Sequence, residues 1–134
     1  MMKAMNGSPI TILAIDADAT AAAHTTSILQ AAGYACRVAA TLCSALEVLR
    51  GTVPDLILCD VNLAGHSGTA LCNELRHSDG LDEVPLMFLS TAQSPDIIRR
   101  SNASGGTYYL RKPFDSKVLV ELVEKALLVP HYSA

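Results

Sequence analysis

The strongest constraint in this sequence is an alternation. Short apolar runs rich in strand-forming residues take turns with longer stretches of helical periodicity, and five rounds fit into 134 residues. That pattern argues for a parallel sheet joined by crossover helices. The runs are Ile10 to Ile15, Tyr34 to Ala39, Asp55 to Cys59, Pro85 to Leu89 and Thr107 to Leu110. The third and fourth contain Leu56-Ile57-Leu58-Cys59 and Leu86-Met87-Phe88-Leu89, apolar without alternation, as strands covered on both faces are. They belong at the centre of the sheet. Right-handed crossovers then place helices on both of its sides.

Helix start and stop signals fill the gaps between the runs. Asp18 reads as the N-cap of an Ala-rich helix to about Ala32, closed by Gly33. A second helix runs from Thr41 to Arg50 with Leu42, Ala45, Leu46 and Leu49 as its apolar stripe, and Gly51 ends it. A loop containing Gly65 and Gly68 leads into a third helix of about Ser67 to His77. Ser94 caps a fourth, Pro95 to Ala103, with proline at the first helical position, where its missing N–H costs nothing. Asp115 caps the last, in which Val118, Leu119, Leu122, Val123, Ala126 and Leu127 form one face. No repeat or linker interrupts the series, so residues 1–134 read as one domain with a core of about 10–128.

Composition narrows the function classes. Half the residues are apolar and 17% are charged, which is the composition of a folding chain. Ten basic against thirteen acidic side chains, net −3, give no electrostatic reason to bind a phosphate backbone or an anionic membrane. No apolar run reaches the roughly 18 residues of a membrane helix, and Met1 to Gly7 lacks a long apolar segment. A cytoplasmic protein without direct nucleic-acid contact is expected. Cys36, Cys43, Cys59 and Cys72 show no metal-ligand spacing and sit among apolar neighbours, so all four read as reduced packing residues.

In an open sheet of this kind ligands bind outside the carboxyl ends of the strands. Run one ends in Asp16, run three in Asp60, run four in Ser90-Thr91, and run five reaches Lys112. The topology therefore gathers two carboxylates, a hydroxyl and an ammonium that are far apart in sequence. Two adjacent carboxylates repel unless a cation neutralises them. A hard divalent ion that keeps several waters, such as Mg2+, suits such a pair. Lys112 adds a fixed positive charge and Thr91 a hydroxyl donor, so the set can stabilise a phosphoryl group in flight. A carboxylate there can act as nucleophile and form an acyl phosphate.

The residues Asp55-Leu-Ile-Leu-Cys-Asp60-Val-Asn62-Leu-Ala-Gly-His-Ser-Gly68, Thr91-Ala92 and Tyr109-Leu-Arg-Lys112-Pro113-Phe114, in this order and spacing, resemble the receiver domain of bacterial two-component response regulators. The resemblance covers residues 10 to 128 and implies a flavodoxin-like, doubly wound five-stranded parallel sheet of order 2-1-3-4-5 with five helices. It implies that Asp60 accepts a phosphoryl group from a histidine kinase or histidine phosphotransfer protein. Asp16 and Asp60, with the backbone carbonyl of Asn62, would hold Mg2+. Thr91 and Lys112 would bind the phosphoryl oxygens, with Ala92 leaving the approach clear, and Tyr109 would turn inward when Thr91 moves. The Lys112-Pro113 bond is often cis in this family. A downstream protein would read the face of the fourth helix, fifth strand and fifth helix, with Ile97, Ile98, Arg99, Arg100, Tyr109 and Lys117 as candidates; a dimer through that face is a further candidate.

The sequence departs from the family at three places. Ala17 stands where receivers usually carry a second acidic residue that binds the metal directly; Asp18 follows one position later, either a helix cap or a further metal candidate. Ala64 replaces a common proline and Gly106 a common alanine, which implies looser loops. Singly, each site residue has an ordinary explanation: Asp60 as a turn former, Thr91 as a polar strand end, Lys112 as a solvated charge, Tyr109 as edge packing, and His24, His66, His77 and His131 as solvated side chains. Two other functions compete. One is a receiver-like binding module that works without phosphorylation, for which Ala17 is the evidence. The other is a haloacid-dehalogenase-like phosphatase, in which Asp16-x-Asp18-x-Thr20 would supply the nucleophile and the acid/base; the Asp60 to Gly68 match would then go unexplained.

Overall fold

The computed structural model describes residues 9–77, 81–91, 99 and 106–128. Five parallel strands, β1 (Thr11–Ile15), β2 (Ala35–Ala39), β3 (Leu56–Asp60), β4 (Leu86–Ser90) and β5 (Gly106–Arg111), form one sheet. Their order is β2-β1-β3-β4-β5, with the two unbroken apolar runs at positions three and four. The described helices are α1 (Ala19–Ala31), α2 (Leu42–Gly51), α3 (Gly68–Leu75) and α4 (Ser116–Leu128). Five helices were expected; the Pro95 to Ala103 helix falls outside the described residues except for Arg99, which is helical and exposed.

The central strands divide their side chains between two cores because successive residues point to opposite faces. Leu13, Ile15, Ile57, Cys59, Leu86 and Phe88 join Ala45, Leu71, Cys72 and Leu75 of α2 and α3 on one side. Ile12, Leu56, Leu58, Met87 and Leu89 join Leu29, Leu119, Val123 and Ala126 of α1 and α4 on the other. Each fully buried Leu or Ile contributes about 1.5–3 kcal/mol, so the sheet is anchored from both sides and its strand ends are held in register. Those ends carry Asp16, Asp60 and Lys112.

The Asp18, Gly33 and Asp115 caps are where the sequence puts them, and Thr41, placed inside its helix from sequence, is a cap instead. Asp18 Oδ1 accepts the N–H groups of Thr20 and Ala21, and Gly33 closes α1 at φ 102°. Thr41 and Ser44 form a capping box on α2, and Asp115 accepts the Lys117 N–H at the start of α4. Ser67 caps α3 rather than lying inside it, and the helix ends at Leu75, not His77. Gly51 is the last residue of α2 rather than its terminator.

Four finer expectations are corrected. Leu46 is 38% exposed, and Val48 takes its place beside Leu42, Ala45 and Leu49. Leu46 is turned about 100° from Ala45, and α2 packs against the edge strand β2, where the sheet to be covered is narrow. Val118 is 42% exposed, at the margin of the α4 stripe one residue before the buried Leu119. Cys43 is exposed on the first turn of α2, while Cys59 and Cys72 are buried and Cys36 is half-buried, so only the last three are packing residues. The loop after β3 is not loose. Asn62–Leu63 pairs antiparallel with His66–Ser67 across Ala64 and Gly65, which have φ 53° and 89°. Positive φ at both central residues is the requirement of a tight type I′ turn, and a proline, locked near φ −65°, is incompatible with it.

Candidate functional site

Asp16 follows β1 directly, and Asp60 closes β3. Neighbouring strands β1 and β3 run in register, Ile15 beside Cys59, so the two carboxylates emerge next to each other at the same sheet edge. Lys112 reaches them from the end of β5. Its backbone N–H donates to the Ser90 carbonyl at 2.8 Å, which ties the fifth strand's exit to the fourth strand's last residue. Its Nζ lies 2.9 Å from Asp16 Oδ2 and 2.5 Å from Asp60 Oδ2, bridging both.

The remaining carboxylate oxygens are held by the chain's own turns. Asp16 Oδ1 accepts the Asp18 N–H at 2.9 Å, and Asp60 Oδ1 accepts the Asn62 N–H at 2.8 Å. Asn62 in turn accepts the Gly65 N–H on its side-chain oxygen at 2.9 Å, which fastens the ribbon below. The Asp60 side chain is 14% exposed and that of Asp16 8%. Asp60 is the more accessible of the two. Burial pulls the Lys112 ammonium down, but its hydrogen bonds to Asp60 and Asp16 and the charges of both carboxylates outweigh that and raise it above its ordinary value. Lys112 is therefore charged at neutral pH, as the counter-ion two facing carboxylates need.

The donor set accommodates a hard cation with few protein ligands. Among the described residues no group of three or more His, Cys, Asp or Glu side chains comes together. The Asp16 and Asp60 carboxylates remain, and a Mg2+ ion, which keeps several of its waters, fits such a pair. Ala17 is half-buried and packs against the α2–α3 core, so no carboxylate occupies that place. Asp18 is exposed and caps α1 through Oδ1.

Thr91 is exposed at the exit of β4 and, with Lys112, lines a cavity of about 320 Å3 shared with Ala21, His24, Thr25, Pro113 and Phe114. The Lys112-Pro113 peptide is cis. Tyr109 is half-buried against the α2–α3 core, beside Phe88 of the neighbouring strand. Ala92, Ile97, Ile98 and Arg100 lie outside the described residues.

Sequence reasoning missed three contributors. His24, expected to be merely solvated, is exposed but stacks on Phe114 with ring centroids 6.3 Å apart at 22°, forming one wall of the cavity. Only the three-dimensional approach of α1 to the Pro113 loop reveals this. Cys59 and Gly68 were seen as packing and loop residues, yet both touch the backbone of Asp60. The Cys59 thiol is pushed well above its ordinary value, first by a hydrogen bond with Cys72 and then by burial, so it remains an S–H donor.

Comparison with known proteins shows the family. The family model of the response regulator receiver domain matches residues 12–124. The DNA-binding response regulator MtrA of Mycobacterium tuberculosis is 34% identical over 116 residues, which cover 87% of this chain and 50% of that protein. The transcriptional regulatory protein ZraR of Escherichia coli is 31% identical over 127 residues, 95% of this chain and 28% of ZraR. The chain thus spans half or less of these relatives. Among solved structures, the chemotaxis protein CheY4 of Vibrio cholerae superposes with a TM-score of 0.85 at 28% identity, covering 90% of this chain and all (100%) of that one. A putative response regulator of Chloroflexus aurantiacus gives 0.84 at 32% identity, over 91% and 100% of the two chains. This chain belongs to the receiver domains of response regulators, the phosphoryl-accepting signal-transduction modules of two-component systems.

Proposed function

We propose that Asp60 is the phosphoryl acceptor and that Asp16, Lys112 and Thr91 serve its reaction. The observation that carries this reading is the Lys112 ammonium bridging two carboxylates of which Asp60 is the more open. One Asp60 carboxylate oxygen attacks the phosphorus of a phosphohistidine on a histidine kinase or phosphotransfer protein. An O–P bond forms, the P–N bond breaks, and the imidazole nitrogen keeps the electron pair and takes up a proton. Lys112 exchanges its contact with Asp60 for a phosphoryl oxygen, remaining on Asp16, and so offsets the incoming charge. The Thr91 hydroxyl donates to a second phosphoryl oxygen. Mg2+, held by Asp16, Asp60 and the Asn62 carbonyl, would supply charge neutralisation for the transferring group.

The output is a protein contact, not turnover of a substrate, and the module acts in the cytoplasm. A phosphoryl group adds about −1.5 to −2 charges and three acceptor oxygens. Drawing Thr91 toward it vacates space beside Tyr109, which turns inward and changes the face of β5, α4 and the Pro95 to Ala103 segment. A downstream protein, or a second copy, reads that face. Residues 1–134 act as one receiver unit.

Ala17 favours a second reading, a module that signals by partner contact alone. Ala17 also lines a groove of about 700 Å3 with Leu42, Leu63, Ala64 and Leu71, in which Thr41, His66, Ser67 and Glu74 are the polar members, so the Ala17 position itself is part of a mainly apolar flank. Intact-mass measurement after incubation with acetyl phosphate, with and without Mg2+, separates the two. A Mg2+-dependent adduct that vanishes in Asp60→Asn supports phosphoryl acceptance. A wild-type protein that stays unmodified supports the contact-only module.

A further inference from the structure

The Asp60 carboxylate is fixed in front by Asn62 and Lys112, but it is braced from behind as well. Gly68, the first residue of α3, meets the backbone of Asp60 so closely that a Cβ there would lie 1.9 Å from the Asp60 carbonyl oxygen and 2.9 Å from its carbonyl carbon. Both are main-chain atoms at the end of a central strand, so neither can swing aside. The Gly68 N–H donates to the Val61 carbonyl at 2.8 Å, closing the loop that contains Asn62. Cys59, buried one residue before the acceptor, bridges the same two elements. Its Sγ is 3.4 Å from the Asp60 carbonyl oxygen and 3.7 Å from the Gly68 carbonyl oxygen, so its single S–H is shared between these two acceptors and the neighbouring Cys72.

We infer that Cys59 and Gly68 are positioning residues for Asp60: they clamp its carbonyl between β3 and α3 and thereby hold the carboxylate where phosphoryl transfer requires it. This rests on Asp60 being the acceptor. The logic is geometric. The peptide joining Asp60 to Val61 connects the clamped carbonyl to the loop whose Asn62 N–H holds Oδ1. Displacing that carbonyl tilts the peptide and moves the Asn62 donor together with the carboxylate. Neither residue touches the phosphoryl group; both act through the Asp60 main chain. No equivalent clamp is found among the described contacts of Asp16, whose strand runs on directly through Ala17 into the α1 cap.

The test follows phosphorylation by acetyl phosphate and Mg2+ in Gly68→Ala, Cys59→Ala, Cys59→Ser and Asp60→Asn, each held well below its own melting temperature. Gly68→Ala must push the strand end, and a misplacement approaching 1 Å lowers the rate at saturating phosphodonor by roughly 100-fold. Cys59→Ala removes the donor without a clash and lowers it by roughly tenfold. Cys59→Ser restores a donor and recovers part of that loss. The half-saturating acetyl phosphate concentration stays unchanged, and the amide resonance of Asn62 shifts in the slowed variants while that of Ile12 does not. Folded Gly68→Ala or Cys59→Ala with the wild-type rate and an unmoved Asn62 resonance would overturn the inference. Should Gly68→Ala fail to fold, the Cys59 pair decides alone, and Cys59→Ser no faster than Cys59→Ala then counts against the brace. An Asp60→Asn protein that still takes up phosphoryl would instead overturn the assignment of the acceptor, whatever the other variants do.

Discussion

The ends of β1 and β3 are built from the same local device and put to different uses. Each closes an apolar strand with an aspartate whose Oδ1 accepts the N–H two residues on and whose Oδ2 accepts from Lys112. Beyond that the two diverge. After Asp16 the chain goes straight into α1, and the next acidic residue, Asp18, is taken up by the helix cap. After Asp60 it makes a closed ribbon and returns at Gly68 to press on the carbonyl of Asp60 itself. The difference teaches that a hydrogen-bonded carboxylate at a strand end is common local chemistry. What sets Asp60 apart, as the proposed acceptor, is the tertiary support behind it and the opening in front.

Removing the shared cation should produce the largest effect. Lys112→Met leaves two facing carboxylates without a counter-charge and removes a donor to the transferring group, so the phosphorylation rate should fall by roughly 100- to 1000-fold. The same variant has a stability signature. Because the folded-state value of Lys112 is raised, its stabilising contribution is complete below the ordinary lysine value of 10.5 and is lost as the pH rises through the higher folded value. Denaturant unfolding in an alkaline series should therefore decline more steeply for wild type than for Lys112→Met. Parallel curves would show that the bridge does not contribute in this way.

Making the two ends more alike is the next test. Ala17→Asp adds a carboxylate beside Asp16, and calorimetric titration should show Mg2+ binding tightened by roughly tenfold, since hard-cation affinity follows the count of charged oxygen ligands. Unchanged affinity would mean that this position does not face the ion. Asp18→Ala acts on the β1 side alone. It should cost about 1 kcal/mol of unfolding free energy through the lost α1 cap, with Asp18→Asn close to neutral. If Asp18→Ala instead weakens Mg2+ binding as strongly as it weakens the fold, Asp18 is a metal-site residue and not only a cap.

The smallest expected change lies on the β3 side. Ala64 holds φ 53° in the ribbon turn, a region that favours glycine. Ala64→Gly should relieve the strain and, after the entropy cost of glycine, stabilise the protein by about 0.5 kcal/mol. Ala64→Pro should be strongly destabilising, because the turn cannot form with φ near −65°.

Much of this molecule was legible in its sequence because the decisive signals are local or topological. Unbroken apolar runs such as Leu56 to Cys59 mark central strands, and once the sheet is parallel its connections force Asp16, Asp60, Thr91 and Lys112 to one edge. Asp18 and Asp115 announced their helices through capping chemistry that operates within three residues. What escaped notice depends on approach between distant elements. Nothing near Gly68 states that it will touch Asp60, and nothing near His24 foretells Phe114. The exposure of Leu46 follows from where α2 meets the sheet edge, which periodicity does not encode. Ala64 misled for another reason: a missing proline suggested slack, whereas the chain uses the freedom for a tighter turn that proline would forbid.

The central claim is that Asp60, and not its twin Asp16, carries the phosphoryl group. Wild-type protein phosphorylated by acetyl phosphate can be trapped with borohydride, which reduces an aspartyl phosphate to homoserine, and then mapped by peptide mass spectrometry. The account predicts homoserine at position 60 with Asp16 intact. Homoserine at position 16 would contradict it and place the nucleophile on β1, as in a haloacid-dehalogenase-like phosphatase.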